Sequence, residues 1–220
     1  MRNFIKKITH PILKLGYEIY YYKPRSFWYD GICIKVHPDV FPPHFTISTK
    51  ILLDFIKDKE LNNKTFLELG CGSGIISLLA TKKGAKVTAT DINTTAIEFL
   101  TENAKKNNLE LEIIESDLFQ SLRNKTFDYI IINPPYYPKK PKNMKENAWF
   151  CGNNFEYFEA LFQQLKNYLT SSNETFIILS EDCELEKIKA IASRNDITFS
   201  LVEEKKVVGE KNYIFILTYL

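Results

Sequence analysis

From Lys64 onward, short apolar runs alternate with segments of helical periodicity, and this alternation is the feature that most constrains the fold. Strands are predicted at 65–69, 86–90, 111–115, 127–132, 175–179, 198–207 and 213–219. Helices are predicted between them at 75–83, 94–107, 154–169 and 184–194. Because strands that alternate with helices form a parallel sheet covered on both faces, we predict an α/β fold with a doubly wound, mostly parallel, seven-stranded sheet.

The two ends of the chain modify this pattern. The last two strands are joined by 209–212, a connection too short to hold a crossover helix, so this pair is predicted to be an antiparallel C-terminal hairpin. Residues 1–40 are predicted to be a short N-terminal extension, and residues 41–220 the main domain. In the extension, Asp30-Gly31 between apolar runs indicates a hairpin turn.

A basic amphipathic helix is predicted at the start of the extension. Isoleucines and a leucine recur at helical spacing, with lysines and an arginine elsewhere on the helical wheel. Such a helix either packs on the main domain or serves as a membrane-surface or nucleic-acid arm. The sequence leaves these alternatives open.

Composition narrows the class of protein. A net charge of +2 is too mild to indicate a nucleic-acid or membrane protein by itself. The four cysteines are far apart without a C-x-x-C pair, so we expect neither a metal site nor a disulfide framework. Since no apolar stretch approaches the length of a membrane span, we expect a cytoplasmic protein.

A glycine-rich turn lies between the first strand of the sheet and its helix, and reads Glu68-Leu69-Gly70-Cys71-Gly72-Ser73-Gly74. Glycines at this position let a ligand approach the backbone and the helix N-terminus. The spacing is G-x-G-x-G, which differs from the dinucleotide fingerprint, and no Gly-Lys-Ser/Thr follows for a phosphate loop. The alternative is a glycine-rich turn that holds no cofactor.

This turn resembles motif I of the class I S-adenosylmethionine-dependent methyltransferases. The resemblance implies a Rossmann-like methyltransferase fold and S-adenosyl-L-methionine as cofactor, bound at Glu68, Gly70, Gly72 and Gly74.

Acidic residues end the next two strands. Asp91 lies roughly 20 residues after Gly70, the offset at which a carboxylate meets ribose hydroxyls in nucleotide-binding sheets. Asp117 follows the third strand and could accept from an adenine amino group, with Leu118 beside the ring. We include Ile92, next to Asp91, among the cofactor-binding residues. The alternative is that each aspartate caps the helix that follows it.

The fourth strand stops at Asn133-Pro134-Pro135-Tyr136. Proline has no N–H and restricts the residue before it, so this corner is stiff and leaves oxygens free to accept hydrogen bonds. An asparagine oxygen, a backbone oxygen and an aromatic face could together hold a planar NH2 group. An ordinary proline turn is the alternative.

This corner resembles the N-P-P-Y tetrapeptide of HemK-type glutamine methyltransferases and of adenine amino methyltransferases. The resemblance implies that Asn133 and the Pro134 carbonyl accept from the substrate NH2, and that Tyr136 packs against the substrate plane. It also implies that Asn133 lies next to the cofactor, because the first and fourth strands are neighbours in this topology.

Two flanking segments bear on the substrate. The segment 41–49 could close over the site through Phe45 and Thr46, or be a connector with a helix cap. After the corner, a basic loop could contact a macromolecular partner, through Lys139, Lys140, Lys142 and Lys145. Candidate substrate contacts in this second region are Pro135, Tyr137 and Trp149.

Three functions are therefore carried forward. The first is N-methylation of a protein glutamine, as in a release factor, by a HemK-like enzyme. The second keeps the chemistry and changes the target to an adenine amino group in RNA or DNA, where lysines would meet phosphates and aromatic rings a flipped base. The third is a non-catalytic cofactor-binding scaffold.

Overall fold

The computed structural model describes residues 22–44, 46–123, 125–207 and 209–219. The predicted basic helix at the start of the chain and Phe45 lie outside the described residues. The strands of the structure are β1 (Arg25–Tyr29), β2 (Ile32–Val36), β3 (Thr65–Leu69), β4 (Lys86–Asp91), β5 (Glu112–Glu115), β6 (Tyr129–Ile132), β7 (Glu174–Ser180), β8 (Ile197–Val207) and β9 (Glu210–Tyr219). The α-helices are α1 (Ile47–Lys57), α2 (Ile75–Lys82), α3 (Thr94–Lys106), α4 (Glu156–Leu165) and α5 (Leu185–Ser193), and a short 3₁₀-helix spans Met144–Ala148.

The central sheet has seven strands in the order β5-β4-β3-β6-β7-β9-β8. The five strands from β5 to β7 are parallel, and β9 pairs antiparallel with both β7 and β8. The predicted fold class, including the antiparallel C-terminal hairpin, is confirmed. The strand order reverses between β3 and β6, which places the ends of these two strands side by side.

Element ends differ from prediction where local backbone geometry intervenes. Helix α4 was predicted at 154–169 but begins at Glu156, because Phe155 has a left-handed φ of 63°. It ends at Leu165, after which Tyr168 N–H bonds to Leu165 three residues back rather than four. Strand β6 begins at Tyr129 rather than 127. The residue before it, Asp128, uses its side chain to bond the start of β3, because its carboxylate accepts from Thr65 N–H at 2.8 Å.

Two hydrophobic clusters cover the two faces of the sheet. Along β3, Phe66 belongs to one cluster and Leu67 to the other, because successive side chains of a strand point to opposite faces. The first cluster collects residues from α1, α2, α3 and β2. The second collects residues from α4 and α5. Both side chains are fully buried, so the sheet is covered on both faces as predicted.

The β1–β2 hairpin is fixed to the sheet by α3. Its turn residues Asp30 and Gly31 have φ values of 48° and 77°, as the predicted two-residue hairpin turn requires. The Asn103 side chain accepts from Lys35 N–H and donates to Lys35 C=O, both at 2.8 Å. Asn107 makes the same pair of bonds to Cys33. Two amide side chains thus satisfy the backbone of β2 in the way a neighbouring strand would.

A buried carboxyl ties α2 to the sheet. Glu68, near the end of β3, is 5% exposed and accepts from both the backbone N–H and the hydroxyl of Ser77 on α2. Burial raises the pKa of Glu68 to about 8, and the nearby Asp91 carboxylate adds to the effect. The neutral acid is therefore the form that the folded protein favours around neutral pH.

Glu68→Gln should change how stability depends on pH. The pKa of Glu68 is about 8 in the folded protein and about 4.5 in the unfolded chain. Neutral Glu68 therefore contributes its full stabilisation below about pH 4.5, and this contribution is lost as pH rises through about 8. Glutamine stays neutral, so the advantage of the variant in unfolding free energy should grow between about pH 5 and 8 and then level off. Urea denaturation across this range measures it, with the exposed Glu186→Gln as control. A pH-independent difference would contradict this account.

The structure contains no membrane-spanning element among the helices of its described ranges, because none of them is both long enough and apolar enough.

Candidate active site

The glycine turn follows β3 and opens one end of a cavity. Gly70, Gly72 and Gly74 all have positive φ, at 74°, 50° and 71°. A Cβ on Gly70 would meet nothing within 4 Å, whereas one on Gly74 would clash with the Leu100 side chain of α3. Gly70 therefore keeps the backbone accessible to a ligand, and Gly74 allows α2 and α3 to pack closely.

Asp91, at the end of β4, holds this turn in place. Its Oδ2 accepts from Gly72 N–H at 2.8 Å, and its Oδ1 accepts from Asn93 N–H at 2.9 Å. Burial raises the pKa of Asp91 above its ordinary value. Each carboxylate oxygen has a second lone pair, so Asp91 can still accept from a ligand hydroxyl.

The end of β5 completes this side of the cavity. Ser116 N–H donates to Asp91 C=O at 2.9 Å, and the Ser116 hydroxyl donates to Leu118 C=O at 2.9 Å. Leu118 has a left-handed φ of 50°, which turns the chain sharply after the strand. Asp117 is exposed at the same turn. These bonds place two acidic residues and the apolar Leu118 around one space.

A cavity of about 320 Å³ joins these strand ends. Most of the predicted cofactor-binding residues line it, together with Pro135 of the proline corner: Glu68, Gly70, Gly72, Asp91, Ile92, Asp117, Leu118 and Asn133. Carboxylates that accept from hydroxyl and amino groups, apolar side chains that flank a ring and an accessible glycine backbone suit a nucleoside-bearing cofactor. Gly74 is absent from this lining.

Asn133 lies beside the glycine turn because of strand register. Leu69 of β3 pairs with Ile132 of β6 in a parallel ladder, so the residues that follow them, Gly70 and Asn133, lie side by side. Both residues line the cavity. The proline corner and the glycine turn are thus two walls of the same space.

Tyr136 is not among the residues that line the cavity. Its ring lies 4.7 Å from the Tyr137 ring and packs against the second hydrophobic cluster. Burial raises the pKa of its phenol, and Tyr137, Cys183 and Ser180 lie close to it. Pro134 is buried and also lies outside the lining. The predicted contact of Tyr136 with a substrate plane stays a prediction.

The basic loop after the corner is closed by backbone hydrogen bonds. Tyr137 N–H donates to Trp149 C=O at 3.1 Å, and Cys151 N–H donates to Tyr137 C=O at 3.0 Å. Lys139 Nζ lies 4.4 Å from the centre of the Phe150 ring, and Lys145 pairs with Asp39 at 3.6 Å. None of the four loop lysines lines the cavity.

The segment before α1 forms the opposite wall, with contacts that differ from those predicted. Asp39 and Phe41 line the cavity, and the Phe41 ring lies 4.8 Å from the Trp149 ring. The Asp39 carbonyl accepts from the Asn93 side chain at 3.0 Å. Thr46 instead bonds internally, donating to Pro42 C=O at 3.1 Å, and neither Thr46 nor Trp149 lines the cavity.

Sequence reasoning missed several lining residues, namely Phe41, Thr49, Met144, Asn147, Phe150 and Tyr157. Thr49 and Phe41 lie in the segment 41–49, for which closure over the site was one of two interpretations. The sequence therefore indicated the segment but not which of its residues line the cavity. Tyr157 lies within a predicted helix, where helical periodicity alone does not single out one aromatic residue. Met144 and Asn147 lie in the 3₁₀-helix of the basic loop.

Across the part of the chain that the structure describes, no group of three or more His, Cys, Asp or Glu side chains could hold a metal ion.

Comparison with known proteins identifies the family. The family model described as "Methyltransferase small domain" matches residues 31–197. A putative protein N5-glutamine methyltransferase of Methanocaldococcus jannaschii is 35% identical over 182 residues, which cover 78% of this chain and 90% of that protein. The ribosomal protein L11 methyltransferase of Thermosipho melanesiensis is 39% identical over 106 residues, and these cover 47% of this chain and only 41% of that protein.

Solved structures share the fold. The Mtq2–Trm112 complex of E. cuniculi, responsible for methylation of the eRF1 termination factor, aligns with a TM-score of 0.63 at 20% identity, covering 83% of this chain and 99% of that chain. The 16S rRNA N2 G1207 methyltransferase of T. thermophilus, in complex with AdoMet and guanosine, aligns with a TM-score of 0.66 at 17% identity, covering 88% and 50%. The chain belongs to the methyltransferase small domain family and is an S-adenosylmethionine-dependent methyltransferase.

Proposed function

We propose that this enzyme methylates the side-chain amide nitrogen of a glutamine in a protein. The observation that carries the proposal is the position of Asn133, which follows β6 directly beside the glycine turn and lines the same cavity. The relative from M. jannaschii, which is named as a putative glutamine methyltransferase, supports this choice of target.

Asn133 and the Pro134 carbonyl would hold the target amide by accepting its two N–H hydrogens. An amide nitrogen is a poor nucleophile because its lone pair is delocalised toward the carbonyl. Two fixed oxygen acceptors would draw electron density back to nitrogen and stabilise the positive charge that develops there. The stiffness of the proline corner would keep these acceptors aligned without reorganisation.

The cofactor would lie along the ends of β3, β4 and β5. When bound, S-adenosylmethionine supplies an electrophilic sulfonium methyl group. Asp91 would accept from the ribose hydroxyls, Asp117 from the adenine amino group, and Ile92 and Leu118 would flank the ring. Gly70 leaves the backbone open to close approach, whereas a Cβ on Gly72 would contact Phe41.

The acceptor side of the cavity favours an uncharged target. The lining residues of the corner and the loop after it are neutral, and include Asn133, Pro135, Pro141, Met144, Asn147, Ala148, Phe150 and Cys151. Glu156, the first residue of α4, is the acid that lines the cavity after this loop. The lysines of the loop lie outside, and two of them are engaged with Phe150 and Asp39. A neutral amide side chain suits these walls better than a nucleotide that carries a phosphate, because phosphate recognition depends on cationic side chains.

The basic loop is the proposed contact for the macromolecule that carries the target. Lys139, Lys140 and Lys142 are exposed, and Lys145 is partly so. They belong to the loop whose Pro141 and Met144 line the cavity, so an acidic face of a protein substrate would meet them as its target side chain enters.

An adenine amino group is the second candidate. Tyr137 is 38% exposed beside Tyr136, and paired aromatic rings near an acceptor corner could stack a flipped base. The structural likeness to an rRNA methyltransferase is compatible with such a target but shows the fold alone.

Asp91→Ala should weaken cofactor binding. Hydrogen bonds to a charged group contribute about 1.5–3 kcal/mol, so affinity for S-adenosylhomocysteine should fall at least about tenfold in isothermal titration calorimetry. Because Asp91 also holds Gly72, a thermal melt is needed to show that the variant is folded. Glu102→Ala, an exposed acid on α3, is the matched control. Unchanged affinity in folded Asp91→Ala would contradict the ribose role.

Asn133→Ala should separate cofactor binding from turnover. We expect cofactor affinity to stay within about threefold of wild type and kcat to fall by about 10²–10³, the loss typical of removing a preorganised acceptor or donor. Single-turnover methyl transfer at saturating cofactor measures this. Asn195→Ala, which follows α5 and does not line the cavity, is the control. Full turnover in Asn133→Ala would remove this residue from the reaction.

Transfer of labelled methyl groups from the cofactor into a cell lysate should identify the target. We expect label in the protein fraction, released on digestion as N5-methylglutamine, and background levels with Asn133→Ala. Label confined to RNA or DNA would overturn the glutamine assignment in favour of the adenine candidate.

A further inference from the structure

Tyr157 is a cavity residue that neither the sequence motifs nor the chemistry above accounts for. It lies in the first turn of α4, where the left-handed Phe155 redirects the chain, and its side chain lines the cavity together with Asp91 and Asp117. Its backbone N–H donates to Cys151 C=O at 3.0 Å, and its ring contacts the Phe158 ring edge-on at 5.4 Å. The ring is therefore held in one place before any ligand binds.

The hydroxyl of Tyr157 has no hydrogen-bond partner within the described ranges 22–44, 46–123, 125–207 and 209–219. Two other half-buried phenols of this structure have hydrogen-bond partners: Tyr29 donates to Asp54 at 2.8 Å, and Tyr168 donates to Leu122 C=O at 3.1 Å. A phenol in an apolar setting normally finds a partner. A fixed, unpartnered hydroxyl in a ligand cavity points to a partner that the ligand supplies.

The surroundings of the hydroxyl indicate which part of the ligand this is. Burial, and then the negative charges of Asp91 and Asp117, raise the pKa of the Tyr157 phenol, so the group stays a neutral O–H donor. The two carboxylates can only accept when ionised, which suits the ribose hydroxyls and the exocyclic amine. The ring nitrogens and the ribose ring oxygen of a nucleoside need a donor, and Tyr157 provides one at the same end of the cavity.

We propose that Tyr157 is a cofactor-binding residue whose hydroxyl donates a hydrogen bond to the adenosine half of S-adenosylmethionine. The inference rests on the proposed placement of the nucleoside between Asp91 and Asp117. It extends that placement by adding a donor to a wall otherwise made of acceptors and apolar groups. Tyr157 thereby selects for a nucleoside with its acceptor atoms turned toward α4.

The test is isothermal titration of Tyr157→Phe with two ligands. S-adenosylhomocysteine carries both halves of the cofactor, and 5′-deoxy-5′-methylthioadenosine carries the adenosine half without the amino-acid half. Loss of one neutral hydrogen bond should weaken both by a similar factor of about fivefold. Tyr29→Phe, which removes a bonded hydroxyl outside the cavity, should leave both affinities unchanged. Circular dichroism and a thermal melt establish that both variants are folded.

Two outcomes would overturn the inference. Equal affinity of Tyr157→Phe and wild type for both ligands would show that the hydroxyl does not contact the cofactor. A loss for S-adenosylhomocysteine alone would place the contact at the amino-acid half and contradict the adenosine assignment. Neither outcome depends on whether glutamine is the methyl acceptor, and a failure of the nucleoside placement itself would appear separately as unchanged binding in Asp91→Ala.

Discussion

The pair of hydrogen bonds from backbone N–H groups to the Asp91 carboxylate is the constraint on which the site depends. Gly72 N–H lies on the turn after β3 and Asn93 N–H lies after β4, so one side chain fixes two loops that share no secondary structure. The backbone carbonyl of the same residue accepts from Ser116 N–H after β5. Asp91 thus joins three strand ends, and the segment before α1 is attached in turn through Asn93 and the Asp39 carbonyl.

This arrangement places buried acids close together, which has an electrostatic cost. Burial raises the pKa of both Glu68 and Asp91, and the Asp91 charge adds to the shift at Glu68. Hydrogen bonds oppose this effect at both residues. Bonds from Ser77 lower the pKa of Glu68 without offsetting its burial, so its neutral form is favoured around neutral pH. Bonds from the Gly72 and Asn93 N–H groups likewise lower the pKa of Asp91 against the effect of burial. Both acids therefore depend on hydrogen bonds from neighbouring residues to offset the cost of their burial.

The sequence was sufficient to predict which side chains lie together at the carboxyl ends of the parallel strands. Asp91, Asp117 and Asn133 each follow a strand of a parallel sheet, and parallel strands bring their carboxyl ends to one edge, so their convergence follows from the alternation of strands and helices alone. Side chains on loops were harder, because loop conformation is set by contacts distant in sequence. Thr46 turned inward to Pro42, and Trp149 packs behind Phe41 instead of reaching the cavity. Tyr157 was not predicted to line the cavity because its position depends on the left-handed backbone at Phe155. A phenylalanine gives no sequence signal for this conformation, which usually occurs at glycine.

In the proline corner, strand pairing determines the position of Asn133, whereas other contacts determine the position of Tyr136. The pairing of Leu69 with Ile132 places Asn133 beside the glycine turn, so the sheet determines where this side chain lies. The position of the Tyr136 ring depends on different neighbours, namely Tyr137 and the residues Ser180 and Cys183 near the end of β7. The loop from Tyr137 to Cys151 is held by backbone bonds between its own ends, and three of its four lysines are exposed. Because loops tolerate changes in sequence better than the elements they connect, this loop can vary without moving Asn133, whose position depends on strand pairing.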